Sequence, residues 1–136
     1  QEPYCAVQQG WPQELPPGTP RIGADVPAEP RNIYASSKVF NESLCRTYAY
    51  SHGMSCIAIR IGWVVGEDRP RGAGSADIWC SQRDIAALIE CCIQASDELR
   101  FDIFYGMSNN KYAWVDLDHA RRRVGFEPQD RAEDYL

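Results

Sequence analysis

A chain of 136 residues with 44% hydrophobic residues is long enough to bury a core, and its formal net charge of −5 makes it acidic. An acidic chain disfavours a nucleic-acid partner, because proteins that bind a phosphate backbone concentrate Lys and Arg on one face. No apolar run approaches the roughly 20 residues that a membrane-spanning helix requires, and the N-terminus QEPYCAVQQG lacks the features of a signal peptide. We therefore predict a cytoplasmic protein that binds a small molecule or another protein.

The six cysteines predict reduced thiols. No two of them form a C-x-x-C pair, and most fall inside predicted helices or strands, where a small apolar residue would serve equally well. We expect neither a disulfide framework nor a metal site from Cys5, Cys45, Cys56, Cys80, Cys91 and Cys92.

The chain opens with an irregular, proline-rich approach segment, residues 1–30. A helix follows from about Tyr34 to Ser51, because apolar residues recur at spacings near one helical turn, and Gly53 ends it. Next, SCIAIRIGWVV is short, β-branched and apolar on both faces, which predicts a buried parallel strand that ends at Gly62.

The second half of the chain repeats this order. A polar, glycine-rich loop leads to SQRDIAALIECCIQA, a predicted helix that Ser81 caps and that has an apolar stripe. RFDIFYGM then predicts a second strand, SNNKYAW a loop, and LDHARRRV a short helix that Asp116 caps and Gly125 closes. His52 and His119 have mostly polar neighbours, and we expect both at the surface.

The alternation of helices and strands indicates a mostly parallel sheet covered by helices, so the predicted fold class is α/β. Two strands are well marked, and a third is expected around Tyr4 to Val7. A parallel sheet of this size leaves open edges and uncovered helix faces. Because Gln1 cannot be an initiator residue, we expect further residues upstream, and the chain is predicted to be a single partial domain.

The stretch NIYASSKVF places a phenol and an amine, Tyr34 and Lys38, four residues apart and so on one face of the first predicted helix. A phenol is a poor acid or base at neutral pH, and a neighbouring cation favours its phenolate form. Such pairs also occur by chance in helices. The pair alone is therefore either a catalytic device or two ordinary helical residues.

The flanks of this pair resemble a known family. DVPAEPRNIYASSKVFNESLCRTYAYSHGMSCIAIRIGWVVG resembles the extended short-chain dehydrogenase/reductase family, the NAD-dependent epimerase/dehydratase group, in which Y-x-x-x-K is followed by an acidic residue, Glu42 here. FYGMSNNKYAWVDLDHARRRVGFEPQD is similar to the tail of its uronate-dehydrogenase-like branch. The resemblance implies the C-terminal part of a Rossmann-like, NAD(P)-binding parallel sheet with flanking helices, without its N-terminal βαβ units. Residues 31–136 would be the catalytic and substrate half.

The resemblance also implies roles for individual residues. Tyr34 would be the general acid/base at the substrate hydroxyl or carbonyl, and Lys38 would bind the nicotinamide ribose. The end of the first strand would line the nicotinamide and substrate pocket: Ile61, Gly62, Trp63 and Val64. An arginine of the loop EDRPRG would bind a substrate carboxylate, because a guanidinium does so bidentately; Arg71 fits best and Arg69 is the alternative.

The implied function is an NAD- or NADP-dependent oxidoreductase, or a sugar epimerase or dehydratase, that acts on a sugar or sugar acid. A homodimer through the helix that begins at Tyr34 is the implied assembly. The alternative is a non-catalytic remnant that serves as a protein-interaction module.

The chain departs from the family pattern in three places. It has no G-x-x-G-x-x-G turn for the cofactor pyrophosphate. The window in which the family carries a catalytic Ser or Thr offers Tyr4 and Thr19 as its only hydroxyls, so that residue stays unassigned. Trp63 is bulky where uronate-specific relatives carry a small hydroxyl residue. We therefore expect that the isolated chain neither binds NAD tightly nor turns over.

Overall fold

The computed structural model describes residues 15–136, in which helices and strands follow the predicted order. Two short 3₁₀ turns, Ala73–Ser75 and Ala132–Tyr135, were not predicted. The strand expected around Tyr4 to Val7 lies outside the described residues. The elements are α1 (Ile33–His52), β1 (Cys56–Ile61), α2 (Gln82–Ile93), β2 (Phe101–Gly106) and α3 (Asp118–Val124).

Helix α1 begins and ends where its sequence provides caps. Oδ1 of Asn32 accepts a hydrogen bond from the backbone N–H of Ala35 at 2.8 Å, which satisfies one of the free donors of the first turn. At the other end Gly53 has a φ of 65°, a left-handed conformation that a residue without a Cβ adopts without strain. Of the helix's residues only Ala49 is fully buried. The caps therefore define this helix more than core packing does.

The two strands form a parallel pair, in which Cys56 lies opposite Phe101 and Ile61 lies opposite Gly106. Parallel neighbours need a crossover connection, and α2 lies within it. In the described residues these two strands are the whole sheet.

Helix α1 covers one face of the sheet, and α2 and α3 cover the other. Glu42 of α1 bonds Arg60 of β1 on the first face. On the second face Leu88 of α2 and Ala120 of α3 belong to one core cluster with Phe104 of β2. The predicted α/β class is therefore confirmed, with a two-stranded middle layer.

The expectation of a fully buried first strand is wrong. Cys56–Arg60 are half-buried and Ile61 is exposed, whereas the last three residues of β2 are buried. Within residues 15–136, β1 has β2 on one side and no strand on the other. A strand with one bare side cannot be buried as a central strand is. The apolar stripe of α2 is likewise only partly buried, because Ile89 and Ile93 are exposed.

A buried carboxylate joins the start of α2 to two loops. Asp84 accepts hydrogen bonds from Oγ of Ser108 at 2.6 Å and from the N–H groups of Gln129 and Asp130 at 2.8 and 3.1 Å. Ser81 caps α2 as predicted, since its Oγ accepts from the N–H of Asp84 at 3.0 Å, and it donates to Asp130 at 2.6 Å. Two parts of the tail that resembles the uronate-dehydrogenase-like branch, SNN at 108–110 and GFEPQD at 125–130, meet in this network, which gives them a structural role.

His119 is less exposed than its sequence predicted. Its Nε2 lies 2.7 Å from Oδ1 of Asp102 on β2, and Nε of Arg123 donates to Oδ2 of the same carboxylate at 3.0 Å. Burial alone would raise the pKa of Asp102, but the hydrogen bonds from His119 and Arg123 outweigh it and hold that pKa below its ordinary value. Asp116 caps α3 as predicted, because its Oδ1 accepts from the first N–H groups of the helix.

The cysteines in the described range are free thiols: Cys45, Cys56, Cys80, Cys91 and Cys92. Burial raises the pKa of Cys80 to about 12, which makes its thiol unreactive at neutral pH. Among residues 15–136 no group of His, Cys, Asp and Glu side chains is arranged to hold a metal ion. No helix in this range is long and apolar enough to cross a bilayer.

Candidate active site

Tyr34 and Lys38 lie side by side near the start of α1. Nζ of Lys38 is 5.0 Å from the centroid of the Tyr34 ring, within the range of a cation–π interaction. Oγ of Ser37 donates to the carbonyl of Tyr34 at 2.7 Å, and the Asn32 cap holds the first turn. Tyr34 is 71% exposed. The pair therefore sits on an ordered backbone and faces open space.

The pair forms one wall of a groove of about 500 Å³ between α1 and the edge of β1, the α1 groove. The edge of β1 from Ala58 to Ile61 forms the opposite wall, and Asn41 lies on the helix one turn after the pair. A phenol, an amine and an amide thus border an apolar surface. Pockets for small molecules and cofactors typically combine an apolar lining with a few placed polar groups.

A half-buried ion pair lines the same groove. Nε and Nη2 of Arg60 donate to the two carboxylate oxygens of Glu42 at 2.7 and 2.9 Å, and Nη1 donates to the hydroxyl of Tyr105 at 3.0 Å. The hydrogen bond to Glu42 is the main cause that raises the pKa of Arg60 above its ordinary value, so the guanidinium stays charged. Because Arg60 engages both oxygens of Glu42, this ion pair holds the helix to the sheet. Lys38, one turn earlier on the helix, lies beside Tyr34.

Strand β1 ends at a glycine that the packing requires. The N–H of Trp63 donates to the carbonyl of Ile78 at 2.7 Å, which draws the two segments together. A Cβ on Gly62 would lie 2.1 Å from the carbonyl oxygen of Ile78, so no larger residue fits without a shift of backbone. Beyond it Trp63 and Val64 are 52% and 39% exposed. They extend past the carboxyl end of the strand, the region where ligands of parallel sheets bind.

The loop that carries Arg69 and Arg71 is fastened to the start of α2. The backbone N–H of Gln82 donates to Oδ1 of Asp68 at 2.7 Å, and its side-chain amide donates to the carbonyls of residues 65–66 at 3.0 and 3.2 Å. Asp68 has a φ of 50°, which few residues other than Gly, Asn and Asp adopt. Both arginines are exposed, and neither lines the α1 groove.

Three of the expected site residues share the α1 groove: Tyr34, Lys38 and Ile61. The residues after the strand end and the two arginines lie outside its lining. Arg60 and Gln82 were not identified from the sequence as parts of the site. The available signal for Arg60 was a charge inside an otherwise apolar strand, because a buried charge requires a partner.

Helices on both faces of a parallel strand pair, with a Tyr–Lys pair near the carboxyl end of one strand, define part of a Rossmann-type α/β fold. The model of the NAD dependent epimerase/dehydratase family matches residues 9–119. The chain belongs to that family, which confirms the resemblance found in the sequence.

Curated relatives and solved structures agree with this assignment. The chain is similar to the NAD-dependent glucose-6-phosphate dehydrogenase of Haloferax volcanii, with 36% identity over 83% of this chain and 42% of the relative. It is equally similar to the uronate dehydrogenase of Agrobacterium fabrum, with 36% identity over 86% and 43%. The crystal structure of uronate dehydrogenase from Agrobacterium tumefaciens matches 93% of this chain and 46% of that chain, with a TM-score of 0.78 and 32% identity. A tyrosine-to-alanine mutant of that enzyme, complexed with NAD, matches with a TM-score of 0.75 and 32% identity over 93% of this chain and 46% of that chain.

The chain therefore spans less than half the length of each of these relatives. The expected Rossmann-like class is confirmed by these neighbours.

Proposed function

We propose that residues 31–136 are the catalytic and substrate half of an NAD(P)-dependent dehydrogenase that acts on a sugar or sugar acid. The observation that carries the proposal is the pair Tyr34 and Lys38 on one face of α1, beside the edge of β1. Its family is described as NAD dependent. Relatives named as glucose-6-phosphate, uronate and L-arabinose dehydrogenases support the substrate class.

The α1 groove suits the nicotinamide end of such a cofactor. It offers the ammonium of Lys38 and the amide of Asn41 to ribose hydroxyls, and the edge of β1 to a flat ring. The sequence contains no G-x-x-G-x-x-G turn to hold the pyrophosphate. These residues would therefore hold one end of the cofactor, which when bound supplies hydride transfer.

Tyr34 moves the proton in this proposal. When a sugar hydroxyl becomes a carbonyl, the O–H proton leaves the substrate, and the phenolate oxygen of Tyr34 accepts it; in the reverse direction the phenol donates it. The ammonium of Lys38 lies one helical turn away, 5.0 Å from the centroid of the Tyr34 ring, where it would bind the ribose beside the reacting oxygen. Tyr34 is 71% exposed, so the pair would act on a substrate only in a covered groove that excludes water.

The substrate would lie beyond the carboxyl end of β1. Trp63 and Val64 border this region, and Arg71, with Arg69 as the alternative, would bind a carboxylate or phosphate group of the sugar. The bonds of Gln82 to its loop would hold these arginines near the site. Trp63 is bulky where uronate-specific relatives carry a small hydroxyl residue. Sugars other than uronate should therefore be assayed as well.

The test joins the amino-terminal portion of the Agrobacterium fabrum uronate dehydrogenase, up to the segment matched here, to this chain. NADH formation is followed with glucuronate, glucose 6-phosphate and L-arabinose, and the intact relative serves as the positive control. We expect activity with at least one sugar. A folded chimera that binds NAD and oxidises none of them contradicts the proposal.

A second candidate function comes from the outer face of α1, the side away from the sheet. Ile33, Phe40 and Leu44 are 90%, 65% and 41% exposed there, and exposed apolar patches favour a partner. In an enzyme this face would form a homodimer, whereas in a non-catalytic remnant it would be the whole function. The oligomeric state of the chimera and of its Phe40→Lys variant is measured by light scattering, and their activity is assayed in parallel. Together these measurements separate the enzyme from the remnant. A dimer with activity supports the enzyme, and an inactive dimer supports the remnant.

A further inference from the structure

Residues 71–77, the Arg71 turn, fold around the hydroxyl of one serine. The backbone N–H of Arg71 donates to Oγ of Ser75 at 3.1 Å, and that hydroxyl donates to the carbonyl of Gly72 at 3.0 Å. The backbone N–H of Ser75 donates to the same carbonyl at 3.1 Å. Gly72 has a φ of 132°, which few residues with a Cβ adopt. The side chain of Ser75 therefore fixes the backbone that carries Arg71.

Exposure changes sharply along the Arg71 turn. Arg71 is exposed, whereas Ser75, Ala76 and Asp77 are 4%, 0% and 7% exposed. Water competes little for the bonds of a buried hydroxyl, and such bonds are costly to leave unmade. The arginine side chain is therefore accessible to a ligand, and buried groups hold its backbone.

Asp77 anchors the end of the Arg71 turn. Nε1 of Trp114, in the loop after β2, donates to Oδ2 of Asp77 at 2.9 Å. Burial raises the pKa of Asp77, and this hydrogen bond is the main cause that opposes the rise. The next residue, Ile78, accepts from the N–H of Trp63 just after β1. The turn is therefore tied to the segments that follow both strands, on the side of the sheet where the substrate would lie.

We propose that Ser75 and Asp77 are positioning residues, which hold Arg71 where its guanidinium meets the anionic group of a sugar. The inference rests on the proposed function, in which Arg71 binds a carboxylate or phosphate. Bidentate recognition requires two N–H groups of the guanidinium to face two oxygens, so a small displacement of its backbone weakens binding. A neutral sugar has no such group and does not depend on this alignment.

The test uses the chimera described above, saturated with NADH so that no sugar is oxidised, and measures the Kd of three sugars by calorimetry. Glucuronate and glucose 6-phosphate are anionic, whereas L-arabinose is neutral. We expect Ser75→Ala to raise the Kd of the anionic sugars by about tenfold or more, and to leave that of L-arabinose within about twofold. A general loss of structure would weaken the binding of all three sugars alike.

Three further variants sharpen the result. Ser55→Ala is the matched control, because it removes a hydroxyl that donates to the carbonyl of Leu99 at 2.6 Å, at the amino end of β1. It should change no Kd. Asp77→Asn keeps an oxygen that accepts from Trp114, whereas Asp77→Ala removes it. Asp77→Asn should therefore retain the affinity for anionic sugars that Asp77→Ala loses, and equal losses would overturn the role of Asp77.

Amide hydrogen exchange measures the order of the Arg71 turn directly. The N–H of Arg71 should exchange at least about tenfold faster in Ser75→Ala than in the parent chimera, because its bond to Oγ is lost. The N–H of Cys56, which donates to the carbonyl of Arg100 at 2.8 Å, is the internal reference and should not change. Exchange at Arg71 that is equally fast in both proteins would overturn the role of Ser75.

The outcomes separate this inference from the proposed function. Selective loss of anionic sugars in a chimera that oxidises none of them supports the positioning residues and contradicts only the dehydrogenase. Unchanged binding, or equal weakening of all three sugars, in Ser75→Ala overturns the positioning role, and an active chimera would still support the dehydrogenase. A chimera that binds neither anionic sugar also overturns the positioning role, because Arg71 would then have no anion to meet.

Discussion

Loss of the ion pair between Glu42 and Arg60 should destabilise the chain clearly. The two side chains are 18% and 24% exposed and are joined by bonds of 2.7 and 2.9 Å. An exposed pair contributes at most about 1 kcal/mol, and breaking a buried pair costs about 3–5 kcal/mol, so Glu42→Gln at this half-buried position should cost about 2 kcal/mol. The unfolding entropy of a chain of 136 residues, at about 2.1 cal/mol/K per residue, converts this into a fall in Tm of about 7 °C.

Thermal unfolding followed by circular dichroism measures this change. The matched control is Glu127→Gln, which removes a 56% exposed partner of Arg121 at a similar distance of 2.7 Å. We expect its Tm to stay close to that of the parent chain. High salt should leave the effect of Glu42→Gln largely in place, because buried pairs are screened less. Equal losses in the two variants would refute the argument that burial sets the strength of the pair.

Three further predictions concern the strand end, acid stability and the cofactor. Gly62→Ala should lower the free energy of unfolding in urea by about 1–3 kcal/mol, because its Cβ would meet the carbonyl oxygen of Ile78 at 2.1 Å. The control Gly66→Ala should leave it unchanged, because a Cβ there has nothing within 4 Å. Equal effects of the two variants would contradict the prediction. The lowered pKa of Asp102 means that its carboxylate stabilises the fold above its unfolded pKa of about 3.9, and this stabilisation is lost as the pH falls toward the folded pKa. Asp102→Asn should therefore flatten the acid side of the stability curve, and an unchanged slope would contradict this. In a fluorescence titration the isolated chain should show no saturable binding of NADH at micromolar concentrations, because it lacks the pyrophosphate turn, and saturation there would contradict this.

The helices could be predicted from the sequence because their end signals are local. Gly53, Ser81 and Asp116 act as caps in the structure, and each bonds or turns within a few residues of its own position. The Tyr34 and Lys38 pair could likewise be predicted to share a face, since helical spacing alone decides it.

Contacts between distant segments could not be predicted in the same way. Arg60 meets Glu42 across 18 positions, and Gln82 reaches the carbonyl of Val65 across 17. No local pattern encodes either partner. The exposure of β1 could not be predicted from the sequence either. Its apolar residues are those of a central strand, whereas within the described residues it has a neighbouring strand on one side only.

The most direct test of the proposed active site is the rate of NADH formation by the chimera with Tyr34→Phe. Tyr48→Phe is the matched control, because it removes a phenol from the same helix at a 43% exposed position, where the ring makes a tilted contact with His52. We predict that kcat falls by about 10²- to 10⁴-fold in Tyr34→Phe, with NAD binding retained, and stays unchanged in Tyr48→Phe. Equal rates in the two variants would contradict the assignment of Tyr34 as the group that moves the proton.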